Sequence, residues 1–374
     1  MKVNLALLFF FLSSSLLVSQ SKTVRISGKI VDRPLDTLIL TKVHEDLRSH
    51  GVRIPIRADS TFSYEFTCSE IEEYSLTFLS EWSNGAWRPI YFFSDGEEIE
   101  FTLHDGMQFE RNSTKGSPLS IQKTAFNEAL KDAFQEKMGP AYQALREAGD
   151  DPAAKELAQS KVDVLNVEAA KFQHQYFIEN PNLLGFNEYV DLLRSAKRRN
   201  LTSKDLDIQQ AFWLKQFPDH PLAARAINLF AALSGLKIGS PFIDFTVRSS
   251  SGEEVAFSEA REKDKVILVD LWAPWCGPCI RKSRKIEENH AVLQARGLSV
   301  FSVIGGIDRK EDYVKAVKRF AYPWDSYMEI QDENKIWEKF GISMSGGSQF
   351  LYDKGGKLLA VNPSIEELKT HLSK

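Results

Sequence analysis

The chain has 374 residues, 43% of them hydrophobic and 26% charged, with a formal net charge of −4. That length exceeds what one compact core holds and suits two or three domains. The charge balance leaves no broad electrostatic footprint for nucleic acid or an anionic membrane. No run of 18 apolar residues follows the first twenty positions, so the mature chain is expected to have no bilayer span.

At the N-terminus, Lys2 precedes an unbroken apolar run from Leu5 to Leu12 and then a Ser-rich stretch ending at Ser19. Basic start, apolar stretch and small residues in that order read as a secretory signal peptide over 1–21, cleaved between Ser19 and Lys22. No cysteine lies near this site to take a lipid, so the expected location is the periplasm or the outside of the cell.

Residues 22–110 read as an antiparallel β domain. Val24, Ile26 and Ile30 alternate with polar residues, as do Val52, Ile54 and Ile56, and then Phe62, Tyr64 and Phe66. Tyr74-Leu76-Phe78 and Ile99-Phe101-Leu103 repeat the period of two, with Asp95-Gly96 read as a hairpin turn. Cys68, in phase with Phe62, Tyr64 and Phe66, is expected on the core face as a buried structural thiol. From 115 to 235 the spacing turns helical: Phe126, Leu130, Phe134 and Met138 share one face, as do Val162, Leu165, Ala169, Phe172 and Tyr176. Gly139-Pro140, Gly149 to Pro152, Asn180-Pro181 and Pro218 read as breaks between helices. No catalytic motif falls here, and the region reads as a helical spacer or docking element.

Beyond Gly239 strands and helices alternate. A hairpin joins Phe245-Thr246-Val247 to Val255-Ala256-Phe257. Val266 to Trp272 is a continuous apolar strand interrupted only by Asp270, and a helix follows from about Cys276 to Arg296. Near-continuous apolar strands separated by helices imply an α/β domain whose sheet is covered on both faces.

Three cysteines are too few for a disulfide framework, and the seven histidines lie singly without ligand spacing, so no metal site is expected. Cys276 and Cys279 form a C-x-x-C pair between the buried strand and the helix. Unpaired N–H groups at a helix start favour an anion, so the Cys276 thiol should ionise readily and attack a disulfide. Cys279, one turn on, would resolve the mixed disulfide. Trp275, Gly277 and Pro278 complete the loop, with Pro278 holding the first turn without needing an N–H.

The run Val266-Ile267-Leu268-Val269-Asp270-Leu271-Trp272-Ala273-Pro274-Trp275-Cys276-Gly277-Pro278-Cys279 resembles the active-site strand and loop of thioredoxin. Length, export and the preceding hairpin make residues 236–374 similar to the TlpA/ResA-like extracytoplasmic thiol-disulfide oxidoreductases. The β domain and helical region resemble, more loosely, modules that precede such domains in some secreted bacterial proteins. The resemblance implies a thioredoxin-like fold and reduction of protein disulfides, with no cofactor beyond a redox-active Cys276–Cys279 disulfide. Protein thiols and disulfides would be the partners, with a membrane thiol transporter as electron donor. It also implies that Asp270 handles a proton at the resolving cysteine, which agrees with a lone carboxylate desolvated on an apolar strand.

Two positions depart from the family. Where it carries a cis-proline in the substrate loop, this chain has Gly347, within Gly346-Gly347-Ser348. A cis bond without proline costs about 2.5–4 kcal/mol, so a trans, more flexible loop is expected. After the second cysteine, Arg281, Lys282, Arg284 and Lys285 make a basic cluster on the wrong side of the macrodipole. Two other functions fit parts of the pattern: a redox-degenerate binding protein that lost turnover with the cis-proline, and a thiol peroxidase, whose Pro/Thr-rich loop Trp275-Cys276-Gly277 does not resemble.

Overall fold

The computed structural model describes residues 21–86, 88–342 and 346–372. The expected signal peptide falls almost wholly on residues 1–20, outside the described residues. Residues 343–345, just before Gly346, are outside them too.

The N-terminal layers are built from β1 (Lys22–Ile30), β2 (Thr37–Lys42), β3 (Val52–Pro55), β4 (Thr61–Cys68), β5 (Glu73–Phe78), β6 (Ile90–Phe93), β7 (Glu98–Leu103) and β8 (Ser113–Lys115). Two short helices, α1 (Leu47–His50) and α2 (Leu79–Ser83), interrupt them. One sheet has the order β4-β1-β7-β8 and the other β3-β2-β5-β6. Their inner faces meet in one core of Val24, Ile26, Leu40, Phe62, Leu76 and Phe101, among others. Cys68 is buried in that core as a free thiol.

One reading of this region is corrected. Asp95-Gly96 is no hairpin turn: β6 pairs with β5 and β7 with β1, so the turn carries the chain from one sheet to the other. Because of that crossing, β7 runs parallel to β1, the one parallel pair among the described strands of these two sheets. Asp95 has a different task. Its carboxylate accepts the Leu119 N–H at 2.7 Å and the Ser117 hydroxyl, capping the next helix from outside it.

That helix, α3 (Pro118–Glu147), begins the helical layer, followed by α4 (Pro152–Ile178), α5 (Leu183–Ser195), α6 (Ser203–Gln216) and α7 (Pro221–Gly235). Here too the structure corrects the sequence reading, because α3 runs straight through Gly139-Pro140. Proline inside a helix removes one hydrogen bond and crowds the carbonyl four residues back, at about 3 kcal/mol. Side-by-side packing of α3 on α4 outweighs that cost. Phe126 lies 5.0 Å from Phe177 and Phe134 lies 5.7 Å from Phe172, ring centre to ring centre.

The C-terminal domain contains β9 (Thr246–Arg248), β10 (Glu254–Ala256), α8 (Phe257–Ala260), β11 (Val266–Trp272), α9 (Gly277–Ala295), β12 (Leu298–Ile307), α10 (Lys310–Phe320), β13 (Ser326–Ile330), α11 (Ile336–Lys339), β14 (Ser348–Tyr352), β15 (Leu358–Val361) and α12 (Ile365–His371). Its seven strands follow the order β10-β9-β13-β12-β11-β14-β15. β11 is fully buried at the centre, parallel to β12 and antiparallel to β14. The β9–β10 hairpin read from the sequence is present.

Charged contacts tie the three parts together. Lys123 of α3 reaches Glu73 of β5 at 2.6 Å, and the Asn187 amide of α5 donates to the same carboxylate at 2.7 Å. On the other side, Arg225 and Asn228 of α7 hold Glu338 of α11 at 2.9 and 2.8 Å. The helical layer thereby fixes the β layers and the C-terminal domain on either side of itself.

Candidate active site

The central strand β11 ends at Trp272, and the chain turns through Ala273, Pro274 and Trp275 into α9. Cys276 is the N-cap of α9, and its sulfur accepts the Cys279 backbone N–H at 3.3 Å. Cys276 and Cys279 are joined in a disulfide, with Cα atoms 5.3 Å apart. Both residues are buried to a similar degree, at 5% and 7% exposure, so exposure does not rank them. What distinguishes them is position: Cys276 is the N-cap, at the positive end of the helix, and its sulfur receives the Cys279 N–H.

Asp270 lies on β11 at 2% exposure. Burial pushes its carboxyl up to about 6, against the opposing pull of hydrogen bonds from Ser283 and Gln349 and the charge of Lys282. The Ser283 hydroxyl sits 2.7 Å from one carboxylate oxygen and 3.2 Å from the Cys279 carbonyl. Gln349 Nε2 donates to the other oxygen at 3.1 Å. Asp270 is thus linked through Ser283 to the backbone of Cys279.

Ser283 and Gln349 were not singled out from the sequence, although both left a signal. Ser283 stands one helical turn after Cys279, on the face that α9 buries. Gln349 is a buried polar residue directly opposite Asp270 in the β11–β14 register. A polar pair meeting across two apolar strands is legible only once the pairing is known.

Asp270, Trp275, Cys276, Gly277, Pro278 and Cys279 line one open cleft together with Lys282, Gly346, Gly347, Ser348 and Gln349. Every site residue chosen from the sequence is therefore brought together. No cis peptide bond occurs among the described residues. Gly347 does not act as slack in the loop. A Cβ there would lie 2.0 Å from the Leu271 carbonyl oxygen and 2.9 Å from the Trp272 Cα, so the absence of a side chain lets the loop lie flat on β11. Gly347→Ala is expected to destabilise the protein by about 1–3 kcal/mol, the usual cost of overpacking, and to lower the thermal midpoint measured by circular dichroism.

The basic cluster divides. Lys282 lines the cleft and donates to Asn362 Oδ1 at 2.7 Å, while Arg284 turns away to Glu287 and the Tyr322 ring. Among the described residues no group of three His, Cys, Asp or Glu is placed to hold a metal ion.

Comparison with known proteins places this site in context. Residues 238–361 match the AhpC/TSA family. The thiol-disulfide oxidoreductase ResA of Geobacillus thermodenitrificans is 26% identical over 148 residues, covering 39% of this chain and 82% of that protein. The thioredoxin-like protein YneN of Bacillus subtilis is 27% identical over 135 residues, 34% of this chain and 75% of its own length. The C-terminal domain is thioredoxin-like. A solved thioredoxin domain of a thiol-disulfide oxidoreductase from Bacteroides vulgatus is also similar, at 24% identity and a TM-score of 0.32, covering 37% of this chain and 96% of that one. Over this domain the chain is similar to proteins named thiol-disulfide oxidoreductases. The family match begins at residue 238, after the β and helical layers.

Proposed function

We propose that the protein reduces protein disulfides outside the cytoplasm through Cys276 as nucleophile and Cys279 as resolving thiol. The observation that carries this reading is the Cys276–Cys279 disulfide at the start of α9, with a buried carboxyl one serine away. In the reduced enzyme the Cys276 thiolate attacks one sulfur of the substrate, and that disulfide opens to a mixed disulfide and a substrate thiol. Cys279 loses its proton to Asp270 and attacks the Cys276 sulfur. The second substrate thiol leaves, and two electrons have passed from the enzyme dithiol to the substrate. A donor dithiol then restores the enzyme, and a membrane thiol transporter fits that role in an exported protein. Among the described residues no helix is long and apolar enough to cross a membrane. We further propose that the three parts divide at 22–110, 115–235 and 236–374; β8, paired with β7, carries the first part's sheet up to the start of the second.

Turbidity from insulin reduction by dithiothreitol tests the reading. Wild type accelerates it, and Cys276→Ala returns it to the uncatalysed rate. Equal rates for the two would establish a binding protein that keeps its cysteines without turnover, and peroxide consumption by the wild type alone would establish a peroxidase.

A further inference from the structure

Trp275 is the residue before the nucleophile, and its indole is held on several sides. Its N–H donates to the Gly306 carbonyl at 3.0 Å. Gly306 has a φ of +60°, and a Cβ there would come within 2.9 Å of the indole, so only glycine lets β12 approach so closely. A further contact comes from the N-terminal layers. Arg48, in the short helix α1, lays its guanidinium carbon 3.2 Å from the centre of the Trp275 ring.

Arg48 is itself fixed. Its Nε and Nη2 each lie 2.9 Å from a carboxylate oxygen of Asp46, and its backbone N–H donates to the same side chain at 2.9 Å. Asp46 is 7% exposed. A guanidinium engaged as a fork by a carboxylate stays planar and stacks on an aromatic face, which an ammonium does not do. The helical layer, pinned to β5 by Glu73 and to α11 by Glu338, holds α1 at this distance from the thioredoxin-like domain.

We propose that Arg48 is a specificity-determining residue that makes the β layers one wall of the redox site. A bulky partner that packs over Trp275 must displace Arg48 from the indole. A disulfide on a small or extended molecule enters instead through the open cleft between Gly277 and Gly346–Ser348. The preferred substrate class is therefore a disulfide carried on a slender, unhindered chain. This rests on the thiol-disulfide reading above.

Two measurements test it. With glutathione disulfide as the small substrate and insulin as the bulky one, Arg48→Ala raises the insulin-to-glutathione ratio of kcat/KM about tenfold, between the scales of an exposed and a desolvated cation–π contact. Arg48→Lys, which keeps the charge and loses the planar stack, moves the ratio in the same direction by less. The second measurement needs no turnover. In a Cys68→Ser, Cys279→Ser background, Cys276 is alkylated by N-ethylmaleimide and by a polymer-bearing maleimide, with and without Arg48→Lys or Arg48→Ala. Loss of the wall speeds the polymer reagent and leaves the small one within about twofold. An unchanged ratio in both measurements, or equal changes for large and small reagents, overturns the proposal. If the wild type reduces neither disulfide, the functional reading fails while the alkylation ratio still decides whether the wall exists.

Discussion

Cys279→Ser is expected to convert the enzyme into a trap: it attacks insulin once and stops at the mixed disulfide. The serine hydroxyl occupies the same place but cannot displace sulfur from Cys276. Release then depends on thiol from solution. Well-oriented intramolecular reactions reach effective concentrations of about 10⁵ M, and the two cysteines meet this condition, already bonded across a single turn of α9. Even a small fraction of that value far exceeds any practical concentration of added thiol. Steady-state insulin reduction should fall by roughly 10³-fold or more, while a stoichiometric adduct, cleavable by dithiothreitol, appears on a non-reducing gel. Cys276→Ser gives no adduct. The reverse pattern, with the adduct on Cys279, would exchange the two roles and would mean that the helix N-terminus does not select the attacking sulfur.

The grounds for expecting this asymmetry are local and can be read from the sequence. A buried strand, a three-residue turn and a helix start are written in consecutive residues from Val266 to Cys279, and so is the anomaly of a carboxylate on an apolar strand. The β layers were legible for the same reason, since alternation reports which side of one strand faces a core. What alternation does not report is which strand lies beside which. Asp95-Gly96 has the composition of a hairpin turn and serves as a crossover, because its aspartate is committed to the start of α3. Gly139-Pro140 has the composition of a break and lies inside a helix, because packing on α4 supplies more than the proline removes. The contact of Arg48 with Trp275 joins residues far apart in sequence through a third element, and no local pattern encodes such a meeting.

Asp270→Asn is expected to make the protein more stable and a poorer catalyst, and both effects follow from one burial. In the folded protein the Asp270 carboxyl is pushed up to about 6 from an ordinary 3.8. Between those values the folded state holds a proton that the unfolded chain has released, so stability falls as pH rises through this window. The gap corresponds to roughly 3 kcal/mol, in full above the upper value and absent below the lower one. Asparagine carries no charge to desolvate and suits the partners present. Its oxygen accepts from Gln349, and its amide donates to the Ser283 hydroxyl, which turns to the Cys279 carbonyl 3.2 Å away. At neutral pH the variant should gain about 1–3 kcal/mol over wild type in urea unfolding, and the gain should vanish near pH 4. The resolving step loses its proton acceptor, so turnover should drop by about 10²-fold, the lower range for removal of a general base. The wild-type rate should also fall as pH drops through about 6, where Asp270 takes up its proton, and this inflection should be missing from the variant. A variant that is stabilised yet keeps both rate and inflection would leave Asp270 as a desolvated acid without a part in proton transfer.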